Sequence, residues 1–156
     1  MTIETGDAVP DVTATGMRGD ALSLRSVGGG RPFVVYFYPK DDTSGCTREA
    51  QDFSDLMPQF GAAGAVVLGV SRDTPARHAS FVAKYGLNVP LASDADGSVT
   101  EAFGTWVEKS MYGRTYMGIE RATFLFDAAG RLVRTWRKVR VAGHAAAVLA
   151  EVEALR

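Results

Sequence analysis

The sequence predicts an α/β protein with a mixed central sheet flanked by helices. Two apolar, β-prone segments, 33–38 and 65–70, are each followed by a segment with helical periodicity. A strand pair at 121–138 and an amphipathic helix at 144–155 close the chain. Alternating strands and helices predict parallel strands, and the late hairpin adds antiparallel ones.

Length and composition indicate one domain that comprises residues 1–156. With 46% hydrophobic residues the chain can bury a substantial core. Seventeen basic and eighteen acidic side chains give a net charge of −1 without a basic block, which argues against nucleic acid or membrane binding. No apolar run of about 18 residues and no signal-like N-terminus occurs, so we expect a cytoplasmic protein.

The first elements are an N-terminal hairpin and a central strand. Residues 5–32 alternate in short stretches around a turn at Met17–Asp20 and end in a flexible run, Gly28–Gly30. Phe33–Tyr38 is apolar and β-prone, and Pro39 ends this strand because proline cannot donate to a sheet ladder.

A helix is predicted to begin around Cys46. Its apolar positions, at helical spacing, are Ala50, Phe53, Met57 and Phe60. Pro58 disfavours a helical conformation at the residue before it, so we expect this helix to kink or restart there.

The second half continues the alternation. Ala65–Val70 is predicted as a strand, and a helix capped by Asp73 or Thr74 is predicted to run to Tyr85 and end at Gly86. A short extended piece after Leu87, a short helix at Val99–Phe103 and a loop at 106–118 are predicted next. The last predicted elements are a hairpin, whose strands Arg121–Asp127 and Arg131–Lys138 are joined by a turn at Ala128–Gly130, and a helix at His144–Leu155. This order is typical of the thioredoxin fold, here with an N-terminal hairpin extension.

Cys46 is the single cysteine of the chain, which excludes an internal disulfide. It lies in the first turn of its predicted helix, where unpaired backbone N–H groups and the helix dipole favour a thiolate, the nucleophilic form of cysteine. Thr43, three residues earlier, can either cap the helix or reach the sulfur. With only His78 and His144 as histidines, we expect no zinc cluster and no metal or other cofactor.

The residues Pro39, Thr43 and Cys46 have the spacing P-x-x-x-T-x-x-C. The longer string YFYPKDDTSGCTREA closely resembles the peroxidatic loop of the peroxiredoxins, specifically of the peroxiredoxin Q group, also called bacterioferritin comigratory proteins. Three further segments are similar to their counterparts in that group: SRDTPARHASFVAKYGLNVPLASD, YGRTYMGIERATFLFD and KVRVAGHAAAVLAEVEAL. The resemblance covers nearly the whole chain.

The resemblance implies a thiol-specific peroxidase, an oxidoreductase that reduces hydrogen peroxide and organic hydroperoxides in antioxidant defence and redox homeostasis. Cys46 would be the peroxidatic nucleophile and become a sulfenic acid. Arg121 would stabilise the charge that moves to the leaving oxygen, and Thr43 would form hydrogen bonds around the peroxide. Pro39 would shield the loop, and Glu49 would have a supporting role.

Other candidate residues have less defined roles. His78 matches a recurrent residue of the group, but a histidine near a helix start is more often structural, so it stays outside the predicted catalytic set. Trp106 and Tyr116 either line the pocket or pack against the fold.

The chain departs from its group by lacking a resolving cysteine. Where many members have one, five residues after the peroxidatic cysteine or in the following helix, this chain has Gln51 and Val82. The resemblance therefore implies that an external thiol reduces the sulfenic acid: thioredoxin, glutaredoxin, a low-molecular-weight thiol, or Cys46 of a second subunit. A smaller departure is Ser44, where the group often has proline.

Two functions of different classes fit the same residues. One is a one-cysteine thiol peroxidase, and the other is a peroxide sensor or relay in which oxidised Cys46 forms a mixed disulfide with a partner. Family members include monomers and dimers, so we expect a monomer or weak homodimer.

Overall fold

The central element of the fold is a seven-stranded mixed sheet, seen in a computed structural model that describes residues 3–155. Met1, Thr2 and Arg156 of the predicted domain 1–156 lie outside the described residues. The strands of this sheet are β1 (Thr13–Gly16), β2 (Ala21–Ser23), β3 (Phe33–Phe37), β4 (Val66–Ser71), β5 (Leu91–Ser93), β8 (Ala122–Phe126) and β9 (Leu132–Trp136). A separate ribbon consists of β6 (Trp106–Met111) and β7 (Arg114–Ile119).

The strand order in the sheet is β2-β1-β5-β4-β3-β8-β9. β3, β4 and β5 are parallel, whereas β1, β2, β8 and β9 pair antiparallel with their neighbours. Because β8 runs against β3, with Ala122 opposite Phe37, the start of β8 lies at the end of β3. This register places Arg121 next to the loop that leads from β3 to Cys46.

Helices cover both faces of the sheet, as the predicted fold class requires. They are α1 (Leu24–Val27), α2 (Ser44–Ala62), α3 (Pro75–Tyr85), α4 (Ser98–Ala102) and α5 (His144–Glu153). Alternation along β3 directs Val34 and Tyr36 toward a core shared with α2, α3 and α5. The opposite face packs Val35 and Phe37 against residues of α1 and α4. The predicted thioredoxin-like arrangement with its N-terminal hairpin is confirmed.

Helix α2 does not restart at Pro58. It is continuous from Ser44 to Ala62, and Pro58 is exposed within it. The helix tolerates the missing N–H because its other face is anchored in the core by Phe53 and Phe60, both fully buried. Tertiary packing therefore outweighs the local preference of the residue before proline.

Helix α3 has the predicted boundaries. Thr74, not Asp73, is the N-cap, because its side-chain oxygen accepts a hydrogen bond from the Arg77 N–H at 3.2 Å. Gly86 ends the helix in the left-handed conformation with φ 61°.

The segment 106–118, predicted as a loop, is instead most of the β6–β7 ribbon. Its strands pair from Trp106–Ile119 to Met111–Arg114, and the turn residues Tyr112 and Gly113 both have positive φ. That conformation matches the twist of a two-residue hairpin turn. The hairpin could not be predicted from the sequence, because tyrosine is an uncommon first residue for such a turn and the ribbon buries little apolar surface.

No helix within residues 3–155 combines the length and the apolar character needed to span a bilayer.

We expect Gly69→Ala to destabilise the protein by about 1–3 kcal/mol, the usual cost of overpacking a filled core. Gly69 lies in β4 beneath the Tyr36 ring, and an added Cβ would lie 2.6 Å from Tyr36 Cζ and 2.8 Å from Leu91 Cδ2. Urea unfolding followed by circular dichroism measures the change.

The matched control is Gly61→Ala in α2, where a Cβ meets nothing within 4 Å. Alanine there raises helix propensity, so this variant should gain up to about 1 kcal/mol. Equal stability of the two variants would contradict the packing described for Gly69.

Candidate active site

Cys46 lies in the first turn of α2, just beyond the C-terminal end of β3. Its side chain is only 1% exposed. The guanidinium of Arg121 donates a hydrogen bond from Nη2 to Sγ at 3.3 Å. Gly45 leaves room for this approach, because a Cβ at that position would lie 3.1 Å from Arg121 Nη2, a tight contact. The predicted pairing of Cys46 with a cation from across the fold is thus present.

Arg121 joins the sulfur to a buried carboxylate. Its Nη1 donates to Glu49 Oε1 at 2.8 Å while Nη2 faces Cys46, so both ends of the planar fork are used. Burial alone would lower the pKa of Arg121, but the charges of Glu49 and Cys46 raise it above its ordinary value. The guanidinium therefore remains positively charged beside the sulfur.

Glu49 is 1% exposed, one turn after Cys46. Burial raises the pKa of its carboxyl to about 7, although the charge and hydrogen bond of Arg121 act in the opposite direction. Oε1 is bonded to Arg121, whereas Oε2 has no hydrogen-bond partner within the described residues. Glu49 can thus hold or release a proton near neutral pH while it positions Arg121.

Within residues 3–155 the Thr43 side chain forms no hydrogen bond that caps α2 and none to Cys46, and its role toward a peroxide stays a prediction. Thr43 occupies the N-cap position of α2, and its hydroxyl donates to the Lys40 carbonyl at 2.8 Å. The side chain is exposed at the mouth of the loop, as is Pro39. The oxygen lone pairs of Thr43 remain able to accept a hydrogen bond from a bound molecule.

A buried polar network fixes the start of the cysteine loop. Asp41 accepts a hydrogen bond from the Tyr38 hydroxyl at 2.5 Å and lies 2.6 Å from His78 Nδ1. His78 Nε2 is 3.0 Å from the Ala92 carbonyl, which can only accept, so this nitrogen carries a hydrogen. His78 is fully buried, and its contacts are those of a structural residue that ties α3 to the loop.

Asp41, Asp73 and His78 are the described residues whose grouping could hold a metal ion, since their ligand atoms lie within 4.8 Å of one another. The prediction of no metal site was based on the two histidines and did not include this cluster, whose members are up to 37 positions apart in the chain. Asp73 Oδ2 accepts hydrogen bonds from the Asp41 N–H and the Ser71 hydroxyl, and Asp41 is bonded to His78. A metal would have to displace these bonds, so we interpret the cluster as a structural network.

Asp42 adds a second link between the loop and α3. This exposed residue has a positive φ of 61° and contacts Lys84 Nζ at 2.7 Å and the Tyr85 hydroxyl at 2.5 Å. The hydrogen bond from Lys84 holds the pKa of Asp42 below its ordinary value.

Two residues near the site had no signal in the sequence. Lys109 of β6 is half-buried and interacts electrostatically with Arg121 and Cys46; burial, followed by Arg121, lowers its pKa. His144 at the start of α5 lies 2.8 Å from the Thr123 hydroxyl, and burial, with a smaller effect of Arg121, lowers its pKa to about 4. Both depend on contacts between elements distant in the chain, which periodicity does not report.

Trp106 and Tyr116, which the sequence left undecided, have different environments. Trp106 packs beneath the guanidinium of Arg72, whose Cζ is 3.4 Å from the ring centroid, and against the core. Tyr116 is 45% exposed on the ribbon, directly opposite Lys109.

Comparison with known proteins agrees with this arrangement. The profile of the AhpC/TSA family matches residues 5–135. The peroxiredoxin Bcp of Xanthomonas campestris pv. campestris is 52% identical over 136 residues, which are 87% of this chain and 84% of that protein. The peroxiredoxin Bcp of Bacillus subtilis is 45% identical over 149 residues, 96% of this chain and 94% of that protein.

Solved structures show the same relationship. The peroxiredoxin Q of Xanthomonas campestris superposes with a TM-score of 0.88 at 48% identity, covering 97% of this chain and 96% of that one. A structure of the bacterioferritin comigratory protein of Xanthomonas campestris, described in terms of its alkyl peroxide reduction activity, has a TM-score of 0.88 at 47% identity, with coverage of 97% and 96%. The predicted family is confirmed. The chain belongs to the AhpC/TSA family and, within it, to the peroxiredoxin Q group, and it is accordingly a peroxidase.

Proposed function

We propose that the protein reduces hydrogen peroxide and organic hydroperoxides through a sulfenic acid on Cys46, which an external thiol then reduces. The observation that carries this proposal is the hydrogen bond of 3.3 Å from Arg121 Nη2 to Cys46 Sγ at the start of α2. A related protein from Xanthomonas campestris, 47% identical, is described as reducing alkyl peroxides, which supports organic hydroperoxides as substrates.

In the first step the Cys46 thiolate attacks the terminal oxygen of the hydroperoxide. An S–O bond forms, the O–O bond breaks, and the leaving oxygen takes up a proton to give water or an alcohol. Arg121 would stabilise the thiolate before the attack and the negative charge on the leaving oxygen during it. Its fork geometry lets one guanidinium group serve both needs.

Thr43 and Pro39 would shape the entrance to the sulfur. The Thr43 hydroxyl donates to the Lys40 carbonyl, so its lone pairs are directed elsewhere and can accept the O–H of an incoming hydroperoxide. Pro39 carries no reactive group, and its ring would shield the loop from bulk water.

Glu49 would act as a positioning residue for Arg121. The contact of 2.8 Å between Glu49 Oε1 and Arg121 Nη1 fixes the orientation of the guanidinium toward Cys46. Since the carboxyl is buried and its pKa is about 7, this contact weakens when Glu49 is protonated.

Reduction would proceed through a mixed disulfide. Cys46 sulfenic acid reacts with a thiol to give a disulfide and water, and a second thiol then releases Cys46 as the thiol. Gln51 and Val82, both half-buried, occupy the two places where related chains carry a resolving cysteine, so the reductant must come from outside. Thioredoxin, glutaredoxin and a low-molecular-weight thiol are the candidate reductants, all of them available in the cytoplasm.

The domain organisation and the oligomeric state are part of the proposal. Residues 1–156 would act as one domain, since a single sheet draws its strands from Thr13 to Trp136. The protein would work as a monomer or a weak homodimer in antioxidant defence.

Replacing Arg121 by glutamine should lower the second-order rate constant for oxidation by hydrogen peroxide about 10²–10³-fold, the usual effect of removing one electrostatic stabiliser. Arg121→Lys should be intermediate, because it keeps the charge but loses the fork. Stopped-flow fluorescence of Trp106 and Trp136 after rapid mixing with peroxide measures the rate, with Cys46→Ser as the blank.

Arg18→Gln is the matched control, since it removes an exposed arginine from the turn between β1 and β2, which contacts neither tryptophan. It should react like the wild type. An Arg121→Gln variant that is as fast as this control would contradict the catalytic role of Arg121, and a wild-type sulfur no faster than a free thiol would contradict the proposed function.

Between pH 4.5 and 7 the wild type should lose stability relative to Glu49→Gln. The folded state keeps the Glu49 proton up to about pH 7, whereas in the unfolded chain it dissociates near pH 4.5, so rising pH favours unfolding across this window. At about 1.4 kcal/mol per pKa unit, the loss is on the order of 3 kcal/mol.

The measurement is urea unfolding of both proteins at intervals between pH 4 and 8. His144 titrates in the same range with the opposite sign, because burial lowers its pKa to about 4, and it contributes equally to both proteins. Parallel stability curves for wild type and variant would show that Glu49 is not buried as described.

Without a resolving cysteine, Cys46 should over-oxidise to sulfinic acid when peroxide exceeds the reductant. Mass spectrometry of peroxide-treated protein should show a gain of two oxygens, which added thiol suppresses. A Cys46 that remains unmodified with and without thiol would contradict the one-cysteine mechanism. Sustained turnover with thiol favours the peroxidase, whereas one turnover and a trapped partner favour the relay.

A further inference from the structure

The β6–β7 ribbon exposes an unusual concentration of apolar side chains beside the active site. Within residues 3–155, five large apolar side chains are exposed, and four of them lie on this ribbon: Met111, Tyr112, Tyr116 and Met117. The ribbon is also joined directly to the site, because Ile119 at the end of β7 is two residues before Arg121.

Lys109 lies on the ribbon face that also carries Tyr116. The two residues are directly opposite in the register, and Gly118 is the next residue on the same face toward the base of the ribbon. A Cβ on Gly118 would lie 3.2 Å from Lys109 Cδ and 3.5 Å from Cε. The lysine stem thus leans across Gly118 toward Arg121 and away from the exposed tip.

The ammonium group of Lys109 has no hydrogen bond or ion pair within the part of the chain that the structure describes. The charge of Glu120 attracts Lys109, but both carboxylate oxygens of Glu120 accept hydrogen bonds from Arg137. Lys109 and Arg121 therefore present two cations near Cys46, and only Arg121 is matched by a carboxylate, that of Glu49.

We propose that Lys109 is a specificity-determining residue that binds the carboxylate of a molecule reacting at Cys46. This inference rests on the proposed peroxidase function. A half-buried ammonium without a carboxylate partner attracts anions more strongly than a fully hydrated one, because fewer water molecules compete for it. The same face of the ribbon also exposes Met111 and Tyr116, which accommodate the carbon skeleton of the same molecule.

A carboxylate can arrive with either of the two reactants. In the oxidation step it would belong to a hydroperoxide, whose terminal oxygen is transferred to Sγ while the alcohol leaves. In the reduction step it would belong to a small thiol, which forms a disulfide with Cys46 and releases water from the sulfenic acid; a second thiol then frees Cys46. Both reactants reach the same sulfur, so Lys109 can act on either.

Matched pairs of reactants test the two sources separately. Cumene hydroperoxide and its 4-carboxylate are compared in the oxidation step, and 2-mercaptoethanol and 3-mercaptopropionate in the reduction of preformed sulfenic acid. For each pair, stopped-flow fluorescence gives the ratio of the carboxylate rate constant to the neutral one. The ratio removes any general effect of a variant on the reactivity of Cys46.

Replacing Lys109 by glutamine should lower this ratio about fivefold in at least one of the two steps, the size expected for one partly screened charge pair. Lys109→Glu should lower it further, and Lys109→Arg should restore most of it. Gly118→Val keeps the charge but fills the space under the lysine stem, so it should also lower the ratio.

Arg18→Gln is the matched control, because it removes one positive charge from the exposed turn between β1 and β2, at the other edge of the sheet. Its ratios should equal those of the wild type. Added sodium chloride should reduce the wild-type preference for the carboxylate, as screening requires.

The step in which the ratio falls identifies the carboxylated reactant as hydroperoxide, thiol or both, and each of these results supports the proposal. Ratios that are the same in wild type, Lys109→Gln and Lys109→Glu in both steps overturn it. Oxidation of the wild type by hydrogen peroxide is measured alongside. If Cys46 reacts faster than a free thiol but the ratios are unchanged, only the role of Lys109 is rejected. If Cys46 reacts no faster than a free thiol, both the proposed function and this inference are rejected.

Discussion

The active site depends on one interaction, the bridge that Arg121 forms between Cys46 and Glu49. Cys46 and Glu49 lie in α2, whereas Arg121 precedes β8 and is more than seventy positions away in the chain. They meet because β8 pairs antiparallel with β3, so that the residue before β8 lies where β3 gives way to the cysteine loop. A shift of this register by one residue would turn the arginine side chain to the other face of the sheet. The pairing of these two strands, whose residues are buried on both faces of the sheet, therefore also assembles the site.

Burial gives this bridge its chemical character. Cys46 and Glu49 are almost completely shielded from water, and in such an environment charges interact more strongly than at the surface. The same burial raises the pKa of Glu49 toward neutrality, and one of its oxygens has no hydrogen-bond partner within residues 3–155. The arginine remains charged because two groups of opposite charge compensate its loss of hydration. The fold thus holds a cation next to a nucleophile and couples it to a group that can take up a proton.

The loop that leads from β3 to Cys46 is also held by helix α3. Asp41 bonds to the buried His78, and Asp42 contacts Lys84 and Tyr85, so that α3 braces the segment between β3 and α2. The resemblance to the peroxiredoxin Q group implies that some members carry a resolving cysteine in this helix; here the helix carries Val82 and braces the loop. With the sulfur buried and no second thiol in the chain, access from outside becomes the step that selects reactants. Lys109 on the β6–β7 ribbon is the group proposed to make this selection.

Local sequence determined much of this protein. The alternation of strands and helices, a cap at Asp73 or Thr74, the stop at Gly86 and the position of Cys46 at a helix start could all be predicted from neighbouring residues, because backbone preferences and periodicity act over a few positions. The structure decided for Thr74. The arginine, the glutamate and the threonine of the site were identified by resemblance, and their roles stay predictions. The tertiary structure alone decided the β6–β7 ribbon, the uninterrupted α2 and the partners of Thr43, His78 and Lys109. Each of these rests on packing or hydrogen bonds between residues far apart in the chain, whose energies local patterns do not contain.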